Sequence, residues 1–334
     1  MERGLESLRA CRVFATEHGP RGRIVEMPTA ELSSGEVLVR VACSGINYKD
    51  ALAVTGRGKI LRRLPLNAGI DLAGTVESSE DGRFRPGDAV VANGMGLGEV
   101  HDGGFAERAR LPADWLMALP VGLDFDQAMA LGTAGFTAAL ALARMAENRQ
   151  TPEHGPLVVT GASGGVGSIA VALAAALGYE VIAVSGRSEH RDYLRELGAA
   201  EVRDPAELEL GARPLESARY GGVVDNVGGE LLCGLVRHVG LWGNVAMVGN
   251  AGGAEIEGTV YPFILRGVSL LGVSSANCPM PFRRELWQRL GEAWKPKALD
   301  RIVERTIALA EVPAACERLL ERRGRGRTLV RCAE

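Results

Sequence analysis

The run "VVTGASGGVGS", Val158 to Ser168, constrains this chain more than any other segment. An apolar strand ends in glycines that open onto the apolar helix "GVGSIAVALAAALG". In that setting the backbone amides at the helix start can face a pyrophosphate, and the positive end of the helix dipole favours the anion. Gly164 and Gly165, flanked by Ser163 and Val166, let the backbone approach closely, and Gly167 lets helix and strand pack. Glycines alone fit a tight turn equally well. The strand and helix on either side point to a dinucleotide.

The surroundings extend the same pattern. After "PLVVTG" and its helix come the strand "EVIAVSG", the helix "HRDYLRELG", the strand "GGVVDNVG", the helix "ELLCGLVRHV", and the strands "GNVAMVGN" and "VSLLGVSS". Alternation of strands and helices with continuous apolar strands predicts an α/β fold, a doubly wound parallel sheet covered on both faces. From about residue 10 to 125 the pattern is instead β-rich and broken by Gly and Pro, as in "EVLVRVACSG" and "RFRPGDAVVA". The apolar segment "DFDQAMALGTAGFTAALALARM" reads as one long helix joining the halves. At 334 residues two domains are expected. Their predicted bounds are 1–127 for the β-rich domain, 128–275 for the nucleotide domain, and 276–334 returning to the first.

The second strand of the nucleotide domain ends "AVSGRS". A carboxylate at that point would accept from the ribose 2′-hydroxyl of NAD. Here Ser185, Gly186 and Arg187 occupy the place, and a guanidinium offers a planar fork of donors to a 2′-phosphate. The expected cofactor is therefore NADPH, with Arg203 in "AEVRD" as a second contact. The cofactor should lie across the carboxyl ends of the strands, which nominates Asn226, Asn250 and Ser275. "YPFILRG" reads as a lid segment that would bring Ile264 to the nicotinamide side.

Composition excludes several classes. A net charge of −3 gives no reason to expect nucleic acid. The stretch "IAVALAAAL" is far short of a membrane span, and no cationic-then-apolar leader opens the chain. Six cysteines without a CxxC pair argue against a zinc ribbon or a disulfide framework and fit a reducing cytoplasm. The five histidines have no ligand-like spacing.

Together the β-rich half, the joining helix, "GASGGVG" and the closing "GRTLV" resemble the medium-chain dehydrogenase/reductases over nearly the whole chain. The resemblance implies a GroES-like catalytic domain beside a Rossmann domain. Zinc alcohol dehydrogenases of that superfamily carry a Cys near Asn47 and a His-Glu pair near Ile70-Asp71. This chain lacks those ligands, so a zinc-free site of the quinone-reductase-like branch is expected. Within the branch, "INYKDALAVTGRGKILRRLP", "NAGIDLAGTV", "GTAGFTA", "AVSGR" and "PFILRGVSLLGV" are similar to the NADPH-dependent acrylyl-CoA reductases. That similarity implies reduction of acrylyl-CoA to propanoyl-CoA. It also implies cofactor contacts at Tyr48, Ser163 to Val166, Ser185 to Arg187, Arg203, Asn250, Ile264, Ser275 and Arg327.

The chemistry can be argued from residue types as well. Hydride transfer without a metal suits a conjugated double bond: hydride adds to the β-carbon and the α-carbon gains a proton. A tyrosine phenol can donate at neutral pH, and Tyr48 in "CSGINYKD" is the candidate. Lys49 would assist if it pointed the same way, and Asn47 would hold the phenol or the nicotinamide. Tyr48 as a cofactor contact only, or as packing, are the competing readings. Arg57, Lys59, Arg62, Arg63, Arg283 and Arg284 are candidates for CoA phosphates, each equally readable as a solvated face. Asp71 reads as a structural hydrogen-bond partner. Competing functions are a quinone or 2-alkenal reductase on the same scaffold, and an NADPH-binding structural or sensor protein. The apolar strand "VSLLGV", at a sheet edge, predicts a homodimer.

Overall fold

The computed structural model describes residues 7–333. The chain divides into two compact units. One comprises Met1–Thr133, Ala276–Glu292 and Val303–Glu334; the other comprises Ala134–Ser275 and Ala293–Ile302.

In chain order the first unit begins with β1 (Ser7–Phe14), β2 (Arg21–Pro28), β3 (Val37–Gly45), helix α1 (Tyr48–Thr55), β4 (Leu66–Asn67), β5 (Asp71–Ser79), β6 (Ala89–Asn93), β7 (Arg108–Leu111) and β8 (Met117–Ala118). Helix α2 (Phe125–Glu147) carries the chain past the unit boundary. Then follow β9 (Leu157–Thr160), α3 (Gly165–Ala176), β10 (Val181–Val184), α4 (Arg191–Glu196), β11 (Glu201–Arg203), β12 (Tyr220–Asp225), α5 (Gly229–Val236), β13 (Val239–Met247), α6 (Tyr261–Arg266) and β14 (Ser269–Gly272). The C-terminal part holds α7 (Met280–Gly291), α8 (Leu299–Ile302), β15 (Val303–Ala308), α9 (Val312–Leu320) and β16 (Arg327–Arg331).

In the second unit the sheet order is β11-β10-β9-β12-β13-β14, and every pairing is parallel. Counted from β9 this is the order three-two-one-four-five-six of a dinucleotide-binding sheet, reversing direction between β9 and β12. β9, β10 and β12 are buried along their whole length because helices cover both faces, which is why they read as unbroken apolar runs. β14 is an edge strand.

The first unit is built on a seven-stranded sheet in the order β15-β16-β3-β5-β6-β8, with β7 also pairing with β3, and on a smaller sheet β2-β1-β4. The last strand is inserted: β16 pairs with β15 on one side and antiparallel with β3 on the other. Its register sets Leu329 opposite Gly45, and the Ile46 N–H donates to the Thr328 carbonyl at 3.0 Å. Arg327 is thereby delivered to the turn at Ile46 and Asn47.

Three expectations change. The first boundary falls after Thr133 instead of 127, and Ala293–Ile302 lies with the nucleotide unit, because buried Leu299 and Ile302 of α8 pack on α3. The joining helix is interrupted: Gly132 has φ 47° and ψ −151°, outside helical values. A Cβ there would lie 2.5 Å from the Asp71 carboxylate and 2.9 Å from the Arg327 guanidinium. Lastly, α2 is long and apolar enough by composition to cross a membrane, which the nine-residue run "IAVALAAAL" did not suggest; 89% of its most apolar window is buried inside the protein.

Candidate active site

Tyr48 is the first residue of α1 and stands 51% exposed. What lies beneath it is polar and closed to water. Asn47, the N-cap, is buried, and the Asp50 carboxylate one turn on accepts its backbone N–H at 2.9 Å. The second Asp50 oxygen accepts the Ile70 N–H at 2.9 Å. An N-cap Asn answered by an acid three residues later satisfies helix-end donors that the first turn would otherwise leave unpaired.

The Asn47 amide is engaged at both ends. Its oxygen accepts from Arg327 Nη1 at 2.9 Å, and its nitrogen donates to Asp71 Oδ2 at 2.8 Å. Asp71 also accepts the Thr133 N–H at 2.9 Å and the Thr133 hydroxyl at 2.5 Å. Arg327, 2% exposed, donates further to the carbonyls of Ile46 at 2.9 Å and Met129 at 3.3 Å, and lies 3.5 Å from Asp71. Thr133 passes the network on to Asn93, which takes the Trp287 indole N–H at 3.0 Å and, on its carbonyl, Arg283 at 2.8 Å. Because Asp71 caps Thr133 just past Gly132, the same carboxylate that holds Asn47 also breaks α2.

Burial sets the electrostatics. It pushes the Asp50 carboxyl up to about 7, helped by the nearby Asp71 charge and opposed by the donors from Asn47 and Ile70. It pulls the Arg327 guanidinium below its ordinary value, with Asp71 and Asp50 opposing. Cys11 and Cys43 are pushed up to about 12 by burial, which leaves them unreactive as thiolates.

This arrangement revises four sequence expectations. Asn47 does not reach outward to a phenol or nicotinamide; both ends of its amide are used internally. Lys49 is held by Glu99 at 2.5 Å. Arg327, expected as a cofactor contact, is a buried strut, delivered by the insertion of β16. Arg283, a candidate for CoA phosphates, is wholly buried. Asp71 is the hydrogen-bonding hub. At the two places where zinc relatives carry ligands, Asn47 and Asp71 instead grip one another and the Arg327 guanidinium. Among the described residues no group of three His, Cys, Asp or Glu could hold a metal ion. Asp50, Thr133 and Asn93 escaped the sequence reading; the N-x-x-D spacing of "NYKD" was a usable signal for the first.

In the second unit, β9 runs into Gly161 at φ +57° and then into α3, with Gly164 at its N-cap. A Cβ on Gly167 would meet the Gly161 carbonyl at 2.3 Å and the Ala162 Cα at 2.7 Å, so helix and turn touch backbone to backbone. A Cβ on Gly164 would meet only one oxygen, at 3.3 Å, and Gly164, Gly165 and Val166 are half-buried, open enough to receive a phosphate. The Ser163 hydroxyl lies 3.1 Å from that of Ser185, which accepts the Arg187 N–H at 3.3 Å. The Ser185 N–H donates to the Arg203 carbonyl at 3.0 Å. Ser163, Ser185, exposed Gly186, Arg187 and Arg203 thus gather at the carboxyl ends of β9, β10 and β11. The Arg203 guanidinium is already paired with Glu201 at 2.6 Å, which raises its pKa and alters the expected second cofactor contact.

Asn250 is exposed in the loop after β13, Ile264 is 67% exposed on α6, and Ser275 is half-buried beyond β14. The segment read as a lid is therefore a short helix. Asn226 is structural: its amide donates to the Thr160 carbonyl at 2.7 Å. The sequence reading missed Asp225, buried at the end of β12, which accepts from the Thr160 hydroxyl and the Gly228 N–H, each at 2.7 Å. Burial raises its pKa against those donors. It locks together the ends of β9 and β12, where the sheet order reverses.

Comparison with known proteins agrees with both halves. Residues 33–121 match the alcohol dehydrogenase GroES-like domain, and residues 165–292 match the zinc-binding dehydrogenase domain. The acrylyl-CoA reductase AcuI of Ruegeria pomeroyi is 45% identical over 92% of this chain and 93% of its own. The quinone oxidoreductase-like YhfP of Bacillus subtilis is 47% identical over 91% and 92%, and its structure with NAD bound superposes with a TM-score of 0.94, covering 97% and 99% of the two chains at 44% identity. The yhdH oxidoreductase of Salmonella enterica, solved in complex with NADP, gives a TM-score of 0.94 over 97% of this chain and 100% of its own, at 43% identity. The chain belongs to the medium-chain dehydrogenase/reductase superfamily, as an oxidoreductase of the group that includes AcuI and YhfP.

Proposed function

We propose that this protein reduces the carbon–carbon double bond of a short-chain enoyl-CoA with NADPH, acrylyl-CoA to propanoyl-CoA being the favoured reaction. The observation that carries the reading is Tyr48: a half-exposed phenol, with no hydrogen-bond partner for its hydroxyl among the described residues, on a buried Asn47–Asp71–Arg327 cluster whose members bond to one another. Such a group is presented to a ligand and held in place from below. The 45% identity to AcuI supports the substrate, and the complex of Salmonella enterica yhdH with NADP supports the cofactor.

NADPH, when bound, supplies the hydride that adds to the β-carbon. Tyr48 holds the proton for the α-carbon at its phenol oxygen and regains one from solvent. The amides of Ser163 to Val166 at the start of α3 would take the pyrophosphate. Ser185, Gly186 and Arg187 would hold the 2′-phosphate: β10 itself ends without an acid, and the carboxylate that comes near, Asp204 from beyond β11, stays 3.8 Å from a Cβ built on Gly186. Asn250, Ile264 and Ser275 would complete the cofactor's surroundings.

The test is steady-state NADPH oxidation with acrylyl-CoA, crotonyl-CoA and a quinone, on the wild type and on Tyr48→Phe. Acrylyl-CoA should be preferred, and the variant should lose roughly a hundredfold in kcat with NADPH affinity intact. A near-normal kcat for Tyr48→Phe removes proton donation, and a preference for crotonyl-CoA removes the short-chain assignment. Quinone reduction is the second reading, favoured by the 47% identity to YhfP; turnover of the quinone alone would select it. For assembly, edge strand β14 and the exposed Leu241 and Trp242 on β13 support a homodimer, which sedimentation of Trp242→Arg beside the wild type would check.

A further inference from the structure

Between Ala51 and Ile70 the chain carries Arg57, Lys59, Arg62 and Arg63 and no acidic residue. That is a local excess of positive charge in a protein whose net charge is −3. The structure sorts these cations. Arg57 is neutralised by Glu317 at 2.6 Å. Lys59, Arg62 and Arg63 are exposed and meet no carboxylate among the described residues. They are not on a loose tail. Leu61 and Leu64 of the same loop pack on the core of the first unit, and Arg63 donates to the Ser33 hydroxyl.

The loop also turns back along α1. The Gly58 N–H donates to the Leu52 carbonyl at 3.3 Å, and the Arg62 N–H to the Glu99 carbonyl at 2.8 Å. The Glu99 side chain in turn grips Lys49, the residue after Tyr48. One residue therefore ties the basic loop to the start of the helix that presents the phenol.

We infer that Lys59, Arg62 and Arg63 form a binding surface for the phosphorylated nucleotide end of the acyl-CoA, the pyrophosphate and 3′-phosphate being held there while the thioester end is turned toward Tyr48. The inference rests on the acyl-CoA reading of the function. A quinone or a small alkenal has no group for these cations to hold, so the surface is also a specificity device. Exposed cations of this kind act through screened attraction, and their contribution falls as salt rises.

The experiment compares wild type with Lys59→Ala/Arg62→Ala/Arg63→Ala on two substrates carrying the same reacting group: acrylyl-CoA and acryloyl-N-acetylcysteamine, which lacks every phosphate. The expected result is a rise in KM for acrylyl-CoA of roughly tenfold or more, with kcat and the KM for NADPH unchanged. Turnover of the truncated thioester should match the wild type, and the dependence of kcat/KM on ionic strength should flatten for acrylyl-CoA alone. An unchanged KM for acrylyl-CoA, or an equal loss on both thioesters, overturns the inference while leaving the enoyl reductase reading intact. Wild-type turnover of neither thioester overturns that reading itself. Lys59→Glu, a single exposed change, should raise the same KM if the triple variant folds poorly.

Discussion

The two candidate regions, one in each unit, are built from different materials. Beneath Tyr48 the working groups are side chains: a carboxylate, an amide, a guanidinium and a second carboxylate, all buried and linked through the Asn47 amide. In the nucleotide unit they are backbone amides and glycines, with one buried carboxylate, Asp225, locking the strand ends. A network of buried charges is rigid only while every member is satisfied, and removing one leaves its partner stranded. A backbone cradle is indifferent to charge and sensitive to a single added carbon. The catalytic half should therefore fail electrostatically and the nucleotide half sterically.

The strongest test of that contrast is Asp71→Ala. It strands the Arg327 guanidinium and three donors, and should cost about 3–5 kcal/mol in chemical denaturation. A loss below about 1 kcal/mol would mean that the network contributes little and that packing holds the turn. Next is pH. The folded-state pKa of Asp50 is raised from 3.8 to about 7, so the folded protein binds the extra proton between those values. Its contribution to stability is fully present below about 4 and is lost as pH rises through about 7, a change on the order of a few kcal/mol. Asp50→Asn should remove that slope; an Asp50→Asn profile parallel to wild type would assign the titration elsewhere.

Gly167→Ala probes the other half. Its new methyl would sit 2.3 Å from the Gly161 carbonyl, and the expected cost is about 1–3 kcal/mol of stability together with weaker dinucleotide binding by calorimetry. Unaltered binding would show that the cradle adapts. The smallest expected effect is on Arg187→Ala, which removes a side chain from a backbone site. Binding of NADPH should weaken roughly tenfold with NADH unaffected. Equal weakening of both nucleotides would assign Arg187 a role other than holding the 2′-phosphate.

The nucleotide half was largely legible in the sequence because its determinants are local. The strand, the glycines and the helix lie within twenty residues, and the order of strands follows from their alternation with helices. What escaped was the side-chain bonding at its rim: Asp225 across from Thr160, and Glu201 occupying Arg203. Tyr48 could be singled out from its neighbours, but its support could not. Lys49 and Asn47, adjacent in sequence, point to Glu99 and into the core. Arg327, which looked like a ligand contact, is a buried strut of the first unit.

By itself the sequence determined that a parallel sheet with a phosphate-binding turn must follow a β-rich half, because periodicity and glycine placement act over a few residues. It also showed an amide, Asn47, and a lone acid, Asp71, near the places where the family resemblance implies metal ligands in zinc relatives. The tertiary structure decided what those two groups do. Only the insertion of β16 between β15 and β3 brings Arg327 to Asn47 across 280 residues of chain, and a buried cation finds its partner through strand register, which no local pattern encodes.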